Sequence, residues 1–407
     1  DSKLESHSST VTINGREITF ETGKIARQAN GSVMVKSGET HLLATACMGA
    51  ALDEVDFLPL RVDYQEKFSS AGKTLGGFIK REGRPTEKET LTCRLIDRPI
   101  RPMFEDGYYN DTQLITTVLS YDGIHQTEPL AICAASAALV ISEIPFIKPI
   151  GAVRVGMVQG EFVINPTVGE MEKSELDLIL AGTEDAILMI EGYCDFLTED
   201  QIMEAIEVGH HAIKLICQTL SDFQNLVGKD KNRTDLRHLP ENLISNVDDI
   251  MKDPLKSAIR ITQKQDRSEA LAAIKESVKE KLLPHGKELY KEFEVMSAIK
   301  KVTANHMRQM ILNEKVRCDG RKTTDVRSIW VEMSPLPRTH GSVLFTRGET
   351  QSISVCTLGG ESMGQRYETL DEADGLKNFY LQYSFPPYSV GEVGRMGPAG
   401  RREIGHG

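Results

Sequence analysis

Two stretches of this chain gather residue types that handle phosphate. In Lys73–Arg101, eight cations (Lys73, Lys80, Arg81, Arg84, Lys88, Arg94, Arg98, Arg101) face four acids (Glu82, Glu87, Glu89, Asp97). Eight minus four is +4, in a chain of formal net charge −11. Gly76-Gly77 and Gly83 free the backbone there to approach a ligand. Arg94 and Arg98 are four apart and share a helical face, and Arg101 lies just beyond its end. Guanidinium groups offer forked donors that match phosphate oxygens, so the pattern suggests contact with a polyanion. The plainer alternative is ion pairing with the interspersed carboxylates on a solvated face. The second stretch closes the chain. Arg395, Arg401, Arg402 and His406 sit among Gly397, Gly400, Gly405 and Gly407. Arginines on so free a backbone suit an oxyanion, and a solvated, flexible tail is the alternative.

Other chemistries find no support. Gly72-Lys73-Thr74 imitates the end of a phosphate-binding P-loop, but the glycine required five positions earlier is Lys67. No Gly-x-Gly-x-x-Gly occurs. His210 and His211 are neighbours on a helix and point in different directions, unlike a zinc pair. No Ser/His/Asp order suggests covalent catalysis. The seven cysteines are scattered without a Cys-x-x-Cys pair, which predicts buried free thiols in a reducing compartment. No apolar run has the length of about 18–20 residues that a membrane span needs, so no membrane association is expected. The opening Asp1-Ser2-Lys3-Leu4-Glu5 lacks a basic-then-apolar signal. The negative net charge argues against wholesale coating of nucleic acid and leaves room for a local basic site.

The elements that must position these residues read as a mixed α+β domain. Val11–Ile13 and Glu17–Phe20 flank Asn14-Gly15, a strong hairpin signal. Ser32–Val35 and His41–Cys47 form another hairpin, and Leu60–Tyr64 and Leu114–Ser120 are strands. A helix is predicted from Pro85 to Arg98, ended by Pro99. Glu128–Ile144, rich in alanine, suits a helix buried on several sides. Two hairpins follow, in Ala152–Ile164 and Leu176–Glu191. Thr198-Glu199-Asp200-Gln201 is a capping box opening a helix striped with Ile202, Ile206, Ile213 and Leu220. The expected organisation is a flexible N-terminus over 1–9, a first domain over 10–222, an all-helical domain over 223–312 and the start of a second α+β domain over 313–407.

That second domain repeats the first. Gly-Ser-Val-Met-Val-Lys-Ser-Gly-Glu-Thr begins at Gly31 and Gly-Ser-Val-Leu-Phe-Thr-Arg-Gly-Glu-Thr at Gly341, with identical internal spacing. A period of 310 residues exceeds any solenoid unit, so it marks two copies of one domain. The sequence stops at Gly407, which leaves the second copy short. Either the sequence is a fragment or that copy has lost its latter half.

Gly77–Pro85, Arg94–Pro102 and Gly400–Gly407 closely resemble the bacterial polynucleotide phosphorylase family, as do Asp63-Tyr64-Gln65-Glu66-Lys67 and Asp319-Gly320-Arg321. The likeness covers nearly the whole chain. It implies two RNase PH-like domains around an all-helical linker, usually continuing into KH and S1 RNA-binding domains. It also implies a homotrimeric ring with a channel for single-stranded RNA. The implied reaction is 3′-to-5′ phosphorolysis of RNA to nucleoside 5′-diphosphates in mRNA degradation, reversible as template-independent polymerisation. Inorganic phosphate is the co-substrate and Mg2+ the usual ion. By resemblance, Phe78, Lys80, Arg81 and Arg84 form the loop that narrows the channel and grips RNA. Arg94, Arg98 and Arg101 are further RNA-binding positions. Arg401 and Arg402 contact the RNA end or phosphate, with His406 in the same motif. The family often has an aromatic and an arginine where this chain has Ile79 and Lys80, so base stacking rests on Phe78 and Lys80 acts as a point charge. Bacterial cytoplasm is the expected location, with an organelle as the alternative, and RNA-degradation complexes supply expected partners.

The family's serine-rich phosphate segment and its metal-binding aspartates lie beyond the Gly-His-Gly. A catalytically inert RNA-binding ring subunit is therefore the alternative reading for a chain that ends at 407. A single-domain tRNA-trimming RNase fits less well, because it has one copy per chain. A polypeptide ending at Gly407 is expected to bind RNA weakly and to catalyse poorly or not at all, because the leaving oxygen needs a metal or an acid. Nucleoside diphosphate release from poly(A), with the terminus fixed by intact mass, checks this. Robust activity from such a chain would contradict it.

Overall fold

The computed structural model describes residues 4–53, 55–78 and 80–407, and the Asp1–Lys3 part of the expected loose N-terminus lies outside them. The chain divides into two compact units. The first holds residues up to Asp53, Phe57–Leu236 and Gln365–Gly407, and the second holds Val55–Asp56 and Arg237–Gly364.

In the first unit, β1 (His7–Ile13) and β2 (Arg16–Thr22) meet at Asn14-Gly15, both with positive φ as a two-residue hairpin turn requires. The strand thus takes in His7–Ser9, within the segment expected to be loose. The chain continues through β3 (Gly31–Ser37), β4 (Thr40–Ala51), β5 (Leu60–Glu66), α1 (Glu87–Ile100), β6 (Asn110–Ser120) and α2 (Thr127–Ile141). The six strands form one sheet, ordered β1-β2-β3-β4-β6-β5, in which only β5 and β6 run parallel. Next come β7 (Gly151–Val158), β8 (Glu161–Ile164), the short α3 (Val168–Met171), β9 (Leu176–Gly182), β10 (Ile187–Cys194) and α4 (Glu199–Val227). They give a second, antiparallel sheet, β10-β9-β7-β8. Helix α2 touches β3 and β4 of one sheet and β7 of the other, so its alanines are buried all round.

Helix α1 departs from expectation at both ends. Thr86, not Pro85, caps it: its hydroxyl accepts from Glu89 N at 3.1 Å and Glu89 returns a bond to Thr86 N at 2.9 Å. Pro99 sits inside the last turn, and the Arg101 N–H still reaches Asp97 O, because a proline there removes one bond near an end that is already under-satisfied. A buried ionic chain fastens the first turn of α1. Lys88 Nζ lies 2.8 Å from Glu66 of β5 and 3.8 Å from Glu128 of α2. Arg154 continues it to Glu128 at 3.2 Å and Asp177 at 2.8 Å. The Tyr64 hydroxyl donates to Glu66 at 2.6 Å. Burial favours the neutral acid, yet Lys88 and Arg154 together hold the Glu128 carboxyl down at about 2.

The all-helical region begins later than expected. Helix α4 runs to Val227, and Lys231 Nζ then donates to the carbonyls of Leu139, Val140 and Ser142 at 3.0, 3.0 and 2.7 Å. That cation caps the end of α2 and keeps 223–236 with the first unit. In the second unit, α5 (Glu241–Ala258), α6 (Lys264–Leu282) and α7 (Glu292–Glu314) bury Leu243, Val247, Met251, Val278, Val295 and Val302. Then β11 (Ile329–Met333), β12 (Gly341–Arg347) and β13 (Thr350–Cys356) make a three-stranded sheet. Residues 365–407 return to the first unit, with the hairpin β14 (Gln365–Tyr367) and β15 (Gly375–Lys377) and the helix α8 (Arg401–His406), so 313–407 is not one compact domain.

All seven cysteines are free, but only Cys93, Cys133 and Cys217 are buried, while Cys47 and Cys356 are exposed. Among the described residues no helix is long and apolar enough to cross a membrane.

The matched glycines of the repeat differ in what they permit. A Cβ on Gly31 would lie 2.0 Å from Ala138 O, so only glycine lets β3 approach α2. A Cβ on Gly341 would meet nothing closer than Cys356 Cβ at 3.5 Å. Gly31→Ala is expected to cost about 1–3 kcal/mol through overpacking, and Gly341→Ala less than about 1 kcal/mol, measured by chemical denaturation. Equal costs would contradict this packing.

Candidate functional site

The loop before α1 is tied at its base and open at its tip. Lys73 Nζ donates to Leu370 O at 2.9 Å and Gly76 N to Glu368 at 3.3 Å. Leu370 is buried in the first unit's core, and Tyr121 donates to Asp371 at 2.6 Å. Glu82 accepts from Phe68 N at 2.8 Å and Lys67 Nζ at 3.1 Å. Partial burial opposes its ionisation, but those donors win and its pKa is lowered. Between these anchors Phe78 is fully exposed, at 103% of its reference area. Lys80 has φ 51°, with its N–H closing a turn on Gly77 O at 3.2 Å. The Lys80, Arg81 and Arg84 side chains are exposed, with no hydrogen bond or ion pair among the described residues. Ile79 lies outside those residues.

The arginines of α1 and its C-cap separate into two kinds. Arg101 makes a bidentate pair with Asp97, at 2.6 and 2.7 Å, and donates to the carbonyls of Leu58 and Leu60 at 3.2 and 3.3 Å. The Asp97 hydrogen bonds raise its pKa against burial. Arg98 pairs with Glu191 and donates to Ile190 O at 3.3 Å. Both latch α1 to neighbouring elements. Arg94 instead faces α8: its Nη1 donates to Arg401 O at 3.3 Å, and its guanidinium occupies the space over Gly405, 2.8 Å from where a Cβ would stand.

The final cluster is an ordered helix rather than a loose tail. Glu403 accepts from Gly400 N and Phe385 N, both at 2.9 Å, and these bonds lower its pKa. Arg401 Nη2 donates to Asp63 Oδ1 of β5 at 2.9 Å, and Gln113 Nε2 holds the other Asp63 oxygen at 2.9 Å. The Arg402 guanidinium lies 4.0 Å from the centre of the Phe385 ring, a cation–π contact. His406 stacks on Tyr383 at 4.9 Å. The structure thus brings Arg94, Arg401, Arg402 and His406 together, and sets Arg98 and Arg101 apart as latches.

Sequence reading missed Asp63, Gln113, Phe385 and Glu403 as the supports of this cluster. The Gly400-x-x-Glu403 spacing is a readable capping signal that the glycine disguises. The backbone devices also repeat. Glu89 caps α1 and accepts from Glu66 N at 2.9 Å, as Glu403 caps α8 and accepts from Phe385 N. Single 3-10 turns at Phe68–Ala71 and Pro387–Val390 end in left-handed Gly72 and Gly391. No group of three or more His, Cys, Asp or Glu among the described residues could hold a metal, and the Asp63 and Glu403 oxygens already serve Arg401, Gln113 and backbone amides, so this cluster does not fit Mg2+.

The 3′ exoribonuclease family, domain 1, matches residues 14–145 and 325–407, one match in each copy of the repeat. Domain 2 of that family matches 148–212. The polyribonucleotide nucleotidyltransferase RNA binding domain matches 242–322. A polyribonucleotide nucleotidyltransferase of Protochlamydia amoebophila (strain UWE25) is 63% identical over 98% of this chain and 57% of its own length. Those of Chlamydia pneumoniae and Chlamydia caviae are 54% and 52% identical, over 98% and 97% of this chain and 58% and 56% of theirs. The chain therefore spans a little over half the length of these relatives.

The geometry separates cations without a side-chain partner among the described residues, Lys80, Arg81 and Arg84, from Arg98 and Arg101, which latch α1. Arg81→Ala or Arg84→Ala is expected to lower single-stranded RNA affinity and reduce the slope of log K against log salt by about 0.7. Arg101→Ala should lower thermal stability and leave that slope unchanged. Filter binding across a salt series, with thermal melts, checks both. A reduced slope for Arg101→Ala would contradict the division.

Proposed function

The chain belongs to the 3′ exoribonuclease family, and on that premise we propose that the protein is a phosphorolytic polyribonucleotide nucleotidyltransferase. The carrying observation is the meeting of Arg94 from the first copy with Arg401 from the second, beside Arg402 and one pairing carboxylate, Asp63.

The reaction sets the requirement. A phosphate oxygen forms a bond to the phosphorus of the 3′-terminal phosphodiester. The bond from that phosphorus to the 3′ oxygen of the preceding nucleotide breaks, and the oxygen takes up a proton. A nucleoside 5′-diphosphate leaves. Attacker and target are both anions, so their approach needs fixed positive charge. Arg401 and Arg402 supply it as forked donors, held before substrate arrives, with Arg94 behind them. His406, stacked on Tyr383, closes the helix that carries them. In the reverse direction the same charges bind the diphosphate and the RNA end.

Single-stranded RNA reaches this cluster past the loop at Phe78. That ring offers a stacking surface, and Lys80, Arg81 and Arg84 meet the backbone phosphates. Stacking and point charges read no base, which suits an enzyme that degrades mRNA of any sequence. A homotrimeric ring in bacterial cytoplasm, with partners in RNA degradation, is the assembly this reading implies. The names of the similar proteins favour a catalytic protein over an inert ring subunit.

In the natural full-length protein, Arg401→Ala and Arg402→Ala are each expected to lower kcat/KM for poly(A) phosphorolysis about 10²- to 10³-fold, with the melting temperature little changed. Rates within twofold of wild type would contradict the reading.

A further inference from the structure

We infer that Asp63 is a positioning residue for Arg401, an inference that rests on the proposed anion-binding role of that arginine. Strand β5 alternates buried Leu60, Val62, Tyr64 and Glu66 with residues on its other face, and Asp63 belongs to the second set. Its place is therefore fixed by the sheet. Gln113 on the neighbouring strand β6 orients the carboxylate by donating to Oδ2 at 2.9 Å. The remaining oxygen takes Arg401 Nη2, also at 2.9 Å. Arg401 is then held at both ends, because its carbonyl accepts from Arg94.

Two consequences follow from this bracket. A guanidinium carries five N–H donors in a rigid plane, and the Asp63 bond uses one nitrogen. The Nε and Nη1 donors make no other bond among the described residues, and the side chain is 47% exposed. One edge is thus anchored and another is left for an anion. An unanchored arginine would have to lose its rotamer freedom when substrate binds, and this one has lost much of it in advance. Asp63 touches neither phosphate nor RNA and acts through Arg401.

A double-mutant cycle in the natural full-length protein separates positioning from general stability. Wild type, Asp63→Ala, Arg401→Ala and the double variant are assayed for poly(A) phosphorolysis across a phosphate titration, alongside thermal melts. Asp63→Ala is expected to raise KM for phosphate roughly tenfold. Arg401→Ala should then cost about ten times less in the Asp63→Ala background than in wild type. Additive losses would overturn the inference while leaving Arg401 as an anion contact. No loss from Arg401→Ala in either background would overturn the proposed role of Arg401 and the inference with it. Should Asp63→Ala not fold, Asp63→Asn serves in the same cycle, since it keeps the shape and one accepting oxygen while removing the charge.

Discussion

The guanidinium of Arg94 lies where any side chain at position 405 would have to go. That close approach seats α8 on α1, and the placement of Arg401 and Arg402 depends on it. Cations repel, so a cluster of arginines exists only where something rigid holds each one. Here the rigidity is inherited from the core. The ionic chain Glu66–Lys88–Glu128–Arg154 fixes the first turn of α1 from inside. Arg98, through Glu191, and Arg101, through the Leu58 and Leu60 carbonyls, fix its last turn and C-cap from outside. Arg94 is then the fixed point against which α8 is set, and Asp63 holds the guanidinium that α8 presents.

The two copies of the repeat solve one backbone problem and spend the result differently. Glu89 and Glu403 cap their helices alike and accept from Glu66 N and Phe385 N. The residue just before each capping glutamate points at the same partner position. In the first copy this is Lys88 against Glu66, an ion pair that joins the core. In the second it is Arg402 over the Phe385 ring. An aromatic face holds a guanidinium without occupying its in-plane donors. The exchange of Glu66 for Phe385 thus leaves charge available in the second copy that the first copy neutralises.

Much of this was legible in the sequence. The Asn14-Gly15 hairpin, the alanine-rich buried helix, the Thr198 capping box and the two-copy architecture all follow from local pattern, and all stand in the α+β structure. The division of the cations was not legible. Arg94, Arg98 and Arg101 look alike at their spacing, and only the positions of Glu191, Leu58, Leu60 and Gly405 in space tell latch from site. The terminal cluster read as equally consistent with a loose tail, because a glycine N-cap hides the helix that Glu403 closes. The path of 365–407 back to the first unit depends on Leu370 entering a core hundreds of residues upstream, which no local pattern encodes.

In the proposed reaction these arginines bring inorganic phosphate to the 3′ end of RNA. Poly(A) incubated with the natural full-length protein and 18O-labelled phosphate tests it most directly, with mass spectrometry of the released nucleotide. ADP carrying the label in its terminal phosphoryl group is the expected product. Release of unlabelled AMP, with water as the attacking group, would contradict it.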